Sequence, residues 1–276
     1  MNNMQVSDLL QYNCCDQESQ TMENSQLVCS SCGSRRKIVN GVVLGNELDS
    51  YDQDQEGSEV YVEQTLNLYK DKKVSSRYYG RYSKPSGLKD LYTWFVARRE
   101  VKSVEKMYRK VKDDVQKVLD APCGTGKLYG LHQKYEYDCV MSDISFEMMN
   151  EFIEDREGEV EGVDFIQSNA MKHCFSDRSF DCVMILRLLH RLSGKDVNRV
   201  LAEACRVSSK YVIVSNSINT NSLAQRWRGD RPMEHEGFYW DRKKWLETLE
   251  SYGEVLASTK ISPLVSSEEV FLLRVA

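Results

Sequence analysis

No apolar run in the chain approaches the roughly 18 residues needed to cross a bilayer, and the mean hydropathy is polar, at −0.53. The opening MNNMQVSDLLQYNCC has neither the basic start nor the apolar centre of a secretory signal. Positive charge is not in excess. With 37 Lys and Arg against 42 Asp and Glu, the net charge of −5 argues against a broad nucleic-acid surface. Internal repeats are missing too, which sets aside a solenoid. Nine cysteines without a secretory signal do not make a disulfide scaffold. These absences point to a soluble cytoplasmic protein with no membrane span.

What is present is enough for one large domain, or a domain with a small appendage, in 276 residues of which 41% are hydrophobic. Composition divides the chain into four parts. Residues 1–45 form a small Cys-containing module. Residues 46–66 hold an acidic linker around ELDSYDQDQEGSE, almost free of core-forming side chains. Residues 67–115 read as a helical lead-in, aromatic and basic, and between Lys70 and Lys112 basic residues alternate with Tyr and Trp. EQTLNLY and KDLYTWFVARREVKSVEKMYRKV both carry helix-like apolar spacing.

From residue 116 onward the pattern becomes short apolar runs separated by amphipathic segments. The runs KVLDA, YDCVMSD, VDFIQSN, FDCVMIL and YVIVSNS read as strands, with two more near Gly253–Thr259 and Val270–Val275. Helices are expected at Leu128–Lys134, Phe146–Asp155, Asp196–Val207 and Arg242–Tyr252. Strands buried on both faces and separated by helices imply an α/β fold with a mainly parallel sheet. Cys123, Cys139, Cys174, Cys182 and Cys205 fall in apolar segments and read as small buried hydrophobes.

The first strand runs into VLDAPCGTGKLYG, a Gly-rich loop entering a helix. An ATP-binding P-loop needs a Gly where Ala121 stands and a hydroxyl where Leu128 stands, so that reading fails. Lys127 then reads as a solvated helix residue. A dinucleotide loop finds its first two glycines in Gly124 and Gly126 but meets Tyr129 in place of the third, which damages that reading without excluding it. S-adenosylmethionine fits best. Asp120 at the strand end suits its cationic methionine portion. Asp143 closes the next strand 143 − 120 = 23 residues on, near the roughly 20 expected of a ribose-binding acid.

LDAPCGTGKL followed by SDISFEMM resembles class I S-adenosylmethionine-dependent methyltransferases of the LDxxCGTG subgroup. FDCVMILRLLHRL, LAEACRVSSKYVIVS and MEHEGFYWDRKKWLETLESYGEV resemble later segments of that subgroup in the same order, so the resemblance spans about residues 116–276. It implies a Rossmann-like seven-stranded sheet with an antiparallel last strand. It also implies that Asp120, Cys123, Gly124 and Gly126 surround the methionine portion. Asp143 would hold the ribose, with Ile144 beside the adenine and Asn169 and Ala170 at its amino group. Leu186 and Arg187 would stand where the methyl-donor pocket opens. Met148 and Met149 read as core residues.

Methyl transfer from a sulfonium is an in-line displacement in which positioning supplies much of the acceleration, and a general base is optional. His190 in RLLHRL is the first candidate base, and His235 in QRWRGDRPMEHEGFYW the second. Around His235, Arg226, Arg228 and Arg231 with Trp227, Phe238 and Tyr239 would form an anion- and ring-binding lid. No Asn-Pro-Pro-Tyr-like segment follows the fourth strand, which lowers the odds of exocyclic amino methylation of nucleobases.

CSSCG at Cys29–Gly33 has the spacing of half a tetrahedral zinc site, and the only upstream cysteines are the adjacent Cys14 and Cys15. LVCSSCGSRRKIVNGVVLGN resembles the second half of zinc-ribbon-like modules that precede some methyltransferase domains. Structural zinc on Cys14, Cys15, Cys29 and Cys32 is therefore an expectation. The acceptor is expected to be an O or N atom of a small molecule or a glycan or lipid intermediate. The alternatives are ribosomal or transfer RNA, gripped by the ribbon and the lead-in, and a methyltransferase-like binding subunit that has lost turnover.

Overall fold

The computed structural model describes residues 20–23, 26–29, 33, 35–45, 71–83, 87–157, 160–219, 240–262 and 266–276. Four short strands come first: β1 (Gln20–Glu23), β2 (Gln26–Cys29), β3 (Arg35–Val39) and β4 (Val42–Val43). Two helices follow, α1 (Lys72–Ser83) and α2 (Leu88–Val111). Then strands and helices alternate: β5 (Lys117–Asp120), α3 (Tyr129–Tyr135), β6 (Asp138–Asp143), α4 (Phe146–Asp155), β7 (Val163–Gln167), β8 (Phe180–Ile185), α5 (Gly194–Val207) and β9 (Ser208–Ser217). The chain closes with α6 (Arg242–Glu250), β10 (Gly253–Lys260) and β11 (Glu268–Val275).

The strands form an eleven-stranded sheet in the order β1-β2-β3-β4-β7-β6-β5-β8-β9-β11-β10. β7, β6, β5, β8 and β9 run parallel, and β11 lies antiparallel between β9 and β10. The seven expected strands and the closing hairpin are present, but the sheet is not seven-stranded, because β1 to β4 extend it beyond β7. The order reverses between β5 and β8, because successive strands are added to one side after β5 and to the other from β8 onward. In open α/β sheets that reversal opens a crevice at the carboxyl ends of the strands.

Local sequence explains the elements. In α5 the buried side chains Val197, Val200, Leu201, Ala204 and Val207 recur at helical spacing, and Ser193 caps its first turn by accepting from the Asp196 N–H. Ser145 does the same for α4 through the Met148 N–H, and Asp241 for α6 through the Lys244 N–H. The strands alternate their side chains between two cores. Leu119, Val183 and Val212 face one, and Val118, Cys182, Met184 and Ile213 face the other.

One finding differs from the sequence expectation. The amino-terminal strands are joined to the main sheet: β3 turns into β4 through Asn40 and Gly41, both at positive φ (48 and 78), and β4 pairs in parallel with β7 through Val42↔Phe165. Helix α1 forms within the expected helical lead-in, from KKVSSRYYGRYS, and it packs on α2 and α4. EQTLNLY lies outside the described residues.

Candidate donor cleft

Two adjoining cavities lie at the reversal point. The larger, about 120 Å³, has Asp120, Cys123, Gly124, Asp143, Ile144, Leu186 and Arg187 in its wall. The smaller, about 60 Å³, is lined by Asp143, Ile144, Ser168, Asn169 and Ala170, among others. Pro122, Asp143, Ile144 and Leu188 belong to both, so the two form one continuous cleft. Eight of the nine sequence-predicted donor residues are thereby brought together.

Gly126 is the ninth, and its place is different. It lines neither cavity. At φ +71 its missing side chain makes room for Phe152 of α4, whose ring a Cβ would meet at 2.6 Å. Gly126 seats the loop on α4, whereas Gly124, at φ +55, lies on the cleft wall itself.

Asp143 is held at both carboxylate oxygens. Its Oδ2 accepts the Gly124 N–H at 2.8 Å and its Oδ1 accepts the Ser145 N–H at 2.9 Å. Burial nevertheless pushes its carboxyl up from the usual 3.8 to about 6, and these backbone donors offset only part of the rise. Asp120 is anchored from behind by His132 of α3, whose Nε2 stands 3.2 Å from Asp120 Oδ2. Its Nδ1 stands 3.4 Å from the Tyr108 hydroxyl, which itself donates to Met184 Sδ at 3.0 Å. Sequence reasoning missed His132, since nothing in GLHQKY marks a residue that reaches back to the preceding strand.

Behind the largely apolar lining of the smaller cavity runs a buried chain of polar side chains. Ser142 Oγ and Ser168 Oγ are 2.7 Å apart, and Ser168 Oγ is 3.1 Å from Nδ1 of the buried His173. Burial holds the His173 ring down to about 4, so it is neutral at physiological pH. Asn169 folds its side-chain oxygen onto the Met171 N–H at 2.9 Å, which sets the turn that presents Ala170.

Three other expectations change. Lys127 is not a solvated helix residue: its ammonium lies 2.5 Å from a carboxylate oxygen of Glu100, a buried residue of α2. His190 is buried in a single 3₁₀ turn, Leu189–Arg191, and is absent from both cavity walls. Its Nδ1 stands 3.5 Å from Glu268 Oε1, and burial pushes the ring down to about 3. Met149 is a core residue as expected, whereas Met148 is buried yet touches the cleft. Tyr78 of α1 and Arg191 also line it, neither marked by any motif.

Arg187 sits where strand β8 ends, at φ 61, a conformation that is strained for a bulky side chain. Its N–H donates to Ser215 Oγ at 3.0 Å and its guanidinium pairs with the buried Glu268 carboxylate. His235 and the arginines and aromatic residues of its segment lie outside the described residues, as do Cys14, Cys15 and Cys32. Cys29 is buried in β2, and among the described residues no group of three or more His, Cys, Asp and Glu is placed to hold a metal. The described residues thus lend the zinc expectation no support.

The strand order and the cleft at its reversal point define a Rossmann-like α/β fold. Residues 118–210 match the family model described as a methyltransferase domain. No curated protein matches the chain. Among solved structures it resembles the PH0226 protein from Pyrococcus horikoshii OT3, at 21% identity and a TM-score of 0.58 over 71% of this chain and 96% of that one. It also resembles magnesium protoporphyrin IX methyltransferase from Synechocystis PCC 6803 with bound S-adenosylhomocysteine (SAH), at 13% identity and a TM-score of 0.64 over 78% and 100%. A third likeness is the [4+2]-cyclase SpnF, at 16% identity and 0.52 over 63% and 80%. At these identities the likeness is one of fold, and one fold can host more than one chemistry.

Proposed function

We infer that the chain is an S-adenosylmethionine-dependent methyltransferase, with the donor held in the cleft between β5, β6 and β8. The observation that carries this reading is Asp143. It is buried at the junction of the two cavities, at the carboxyl end of the second core strand, with its oxygens held in place by the loop. The ribose hydroxyls would bond there, the adenine would occupy the smaller cavity, and the methionine portion would lie along Asp120, Cys123 and Gly124. Burial raises the Cys123 thiol well above its ordinary range, which keeps it an uncharged contact.

The donor supplies an activated methyl group, and the protein's part is to orient it and exclude water. Among the described residues the cleft wall carries no histidine. Positioning, rather than proton abstraction by His190, is the mechanism this geometry favours. The acceptor is read as an O or N atom of a small molecule or of a glycan or lipid intermediate.

Calorimetry with S-adenosylhomocysteine tests the donor site. We expect binding by the parent chain and at least a tenfold loss for Asp143→Ala, since hydrogen bonds to a charged group contribute about 1.5–3 kcal/mol each. No binding by the parent would favour the turnover-dead alternative. Equal binding by the variant would remove Asp143 from the ribose.

A further inference from the structure

Helix α2 buries one face, through Ala97, Glu100, Val104, Met107, Tyr108 and Val111. The opposite face is a single line at helical spacing: Leu91, Phe95, Arg98, Lys102, Lys106 and Arg109, about 27 Å long at 1.5 Å per residue. Its composition is unusual for a solvated face. Leu91 and Phe95 are 50% and 48% exposed, with Tyr92 beside them at 43%. Beyond them Arg98, Lys102, Lys106 and Lys110 follow at successive i,i+4 positions, where like charges destabilise a helix.

Among the described residues, the one helix acid bonded to a cation of this line is Glu105, which pairs with Arg109 at its far end. Glu100 is buried and taken by Lys127, Glu105 is taken by Arg109 and Lys134, and Asp90 is not on the line. Arg98 stacks over Trp94 at 4.2 Å, and Lys102, Lys106 and Lys110 have no acidic partner among the described residues. In a chain of net charge −5, a row of cations running on from an exposed apolar end is a local exception that calls for an anionic partner.

We propose that this face of α2 docks on an anionic lipid surface, with Leu91, Tyr92 and Phe95 entering the interface and the cations lying over the headgroups. Two observations favour lipid over RNA. Single-stranded nucleic acid interleaves bases and phosphates, so its sites interleave aromatic and basic side chains. Along the exposed line of α2 they are segregated, Leu91 and Phe95 in the first turns and Arg98, Lys102, Lys106 and Arg109 after them. Leu91, the most exposed of the apolar residues, has no π-face on which a base could stack but gains by entering an acyl boundary. The inference does not depend on what the cleft binds.

The test is co-sedimentation of the full chain with vesicles of phosphatidylcholine alone, and of phosphatidylcholine mixed with phosphatidylglycerol. Binding is expected only to the mixed vesicles and should weaken as salt rises. Each cation near such a surface contributes about fivefold, so Arg98→Gln, Lys102→Gln and Lys106→Gln together should weaken binding about a hundredfold. Leu91→Ser with Phe95→Ser should spare binding at low salt and abolish what persists at high salt. An S-adenosylhomocysteine titration of each variant reports on the fold, and failure of that titration in the parent would bear on the cleft alone. The proposal is overturned if the parent ignores the mixed vesicles, or if the triple variant sediments as the parent does. It is equally overturned if the same cations bind an oligoribonucleotide while vesicles are ignored.

Discussion

The backbone N–H of Gly124 donates to the Asp143 carboxylate at 2.8 Å, and this bond ties the turn after β5 to the end of β6 across the cleft. One residue supplies close backbone approach, at a φ of +55 that favours glycine, and the other supplies the charge that the approach positions. The glycine loop and Asp143 are therefore held as one unit.

A pH dependence follows from the raised Asp143 carboxyl. If ribose hydroxyls bind its ionised form, affinity for S-adenosylhomocysteine is full above about 6. Below that value binding must expel a proton, so affinity should fall by up to tenfold per pH unit. Calorimetry across this range checks it. A flat profile through pH 6 would mean that Asp143 does not contact the ligand in its charged form.

Gly126→Ala should destabilise the fold. The new methyl group would meet the Phe152 ring, and a non-glycine residue at φ +71 is strained whatever the space. Overpacking and backbone strain together cost about 1–3 kcal/mol. Phe152→Leu in the same chain should restore only the packing part. Thermal melts of the two single variants and the double variant separate these contributions. Additive losses would show that Gly126 and Phe152 do not share the space.

Much of the donor side was legible because it is written in local pattern. KVLD ends in an acid before a glycine loop, and DCVMSD ends in another, so Asp120 and Asp143 stand out by position. The switch from period 2 to period 3.6 marks the alternating strands and helices. His132, Lys127 and Tyr78 were not legible, because their roles arise from what tertiary packing sets opposite them. A lysine after Gly-Thr-Gly reads as exposed until α2 places Glu100 against it. The β3–β4 hairpin did carry a signal: Asn40-Gly41 between apolar runs marks its turn. What it lacked was any mark of the strand that β4 would meet.

Acid should destabilise the protein through its buried histidines. His173 is held at about 4 and His190 at about 3, both below the ordinary 6.5. The unfolded chain therefore takes up protons that the native state refuses. The stability they contribute is complete above about 6.5 and is lost as pH falls toward 4 and 3. Asp143 and Asp164, both raised to about 6, act in the opposite sense between 6 and their ordinary 3.8, so the net slope is shallower than the histidines alone would give. His173→Gln should lower the melting temperature at neutral pH and flatten the decline from pH 6.5 to 4. A variant with the parent's slope would exclude His173 as a source of the acid sensitivity.

The Lys127–Glu100 pair allows the sharpest test of how the lead-in helices hold the cleft. Glu100 is almost wholly buried, and Lys127, which lines the cleft, is only 18% exposed, so solvent screens the pair poorly. Lys127→Met removes the only cation bonded to Glu100 among the described residues and strands a buried carboxylate, whose second oxygen already has no hydrogen-bond partner. Breaking one side of a buried pair in this way costs about 3–5 kcal/mol. Glu100→Gln should cost less, because Lys127 can turn its ammonium toward the cleft and solvent. With both changed, Lys127→Met and Glu100→Gln together should be more stable than Lys127→Met alone, since no buried charge is left unpaired. Chemical denaturation of the three variants measures the coupling. Simple additivity would show that the two groups do not stabilise each other in solution, and that α2 is held to the glycine loop by its apolar face alone.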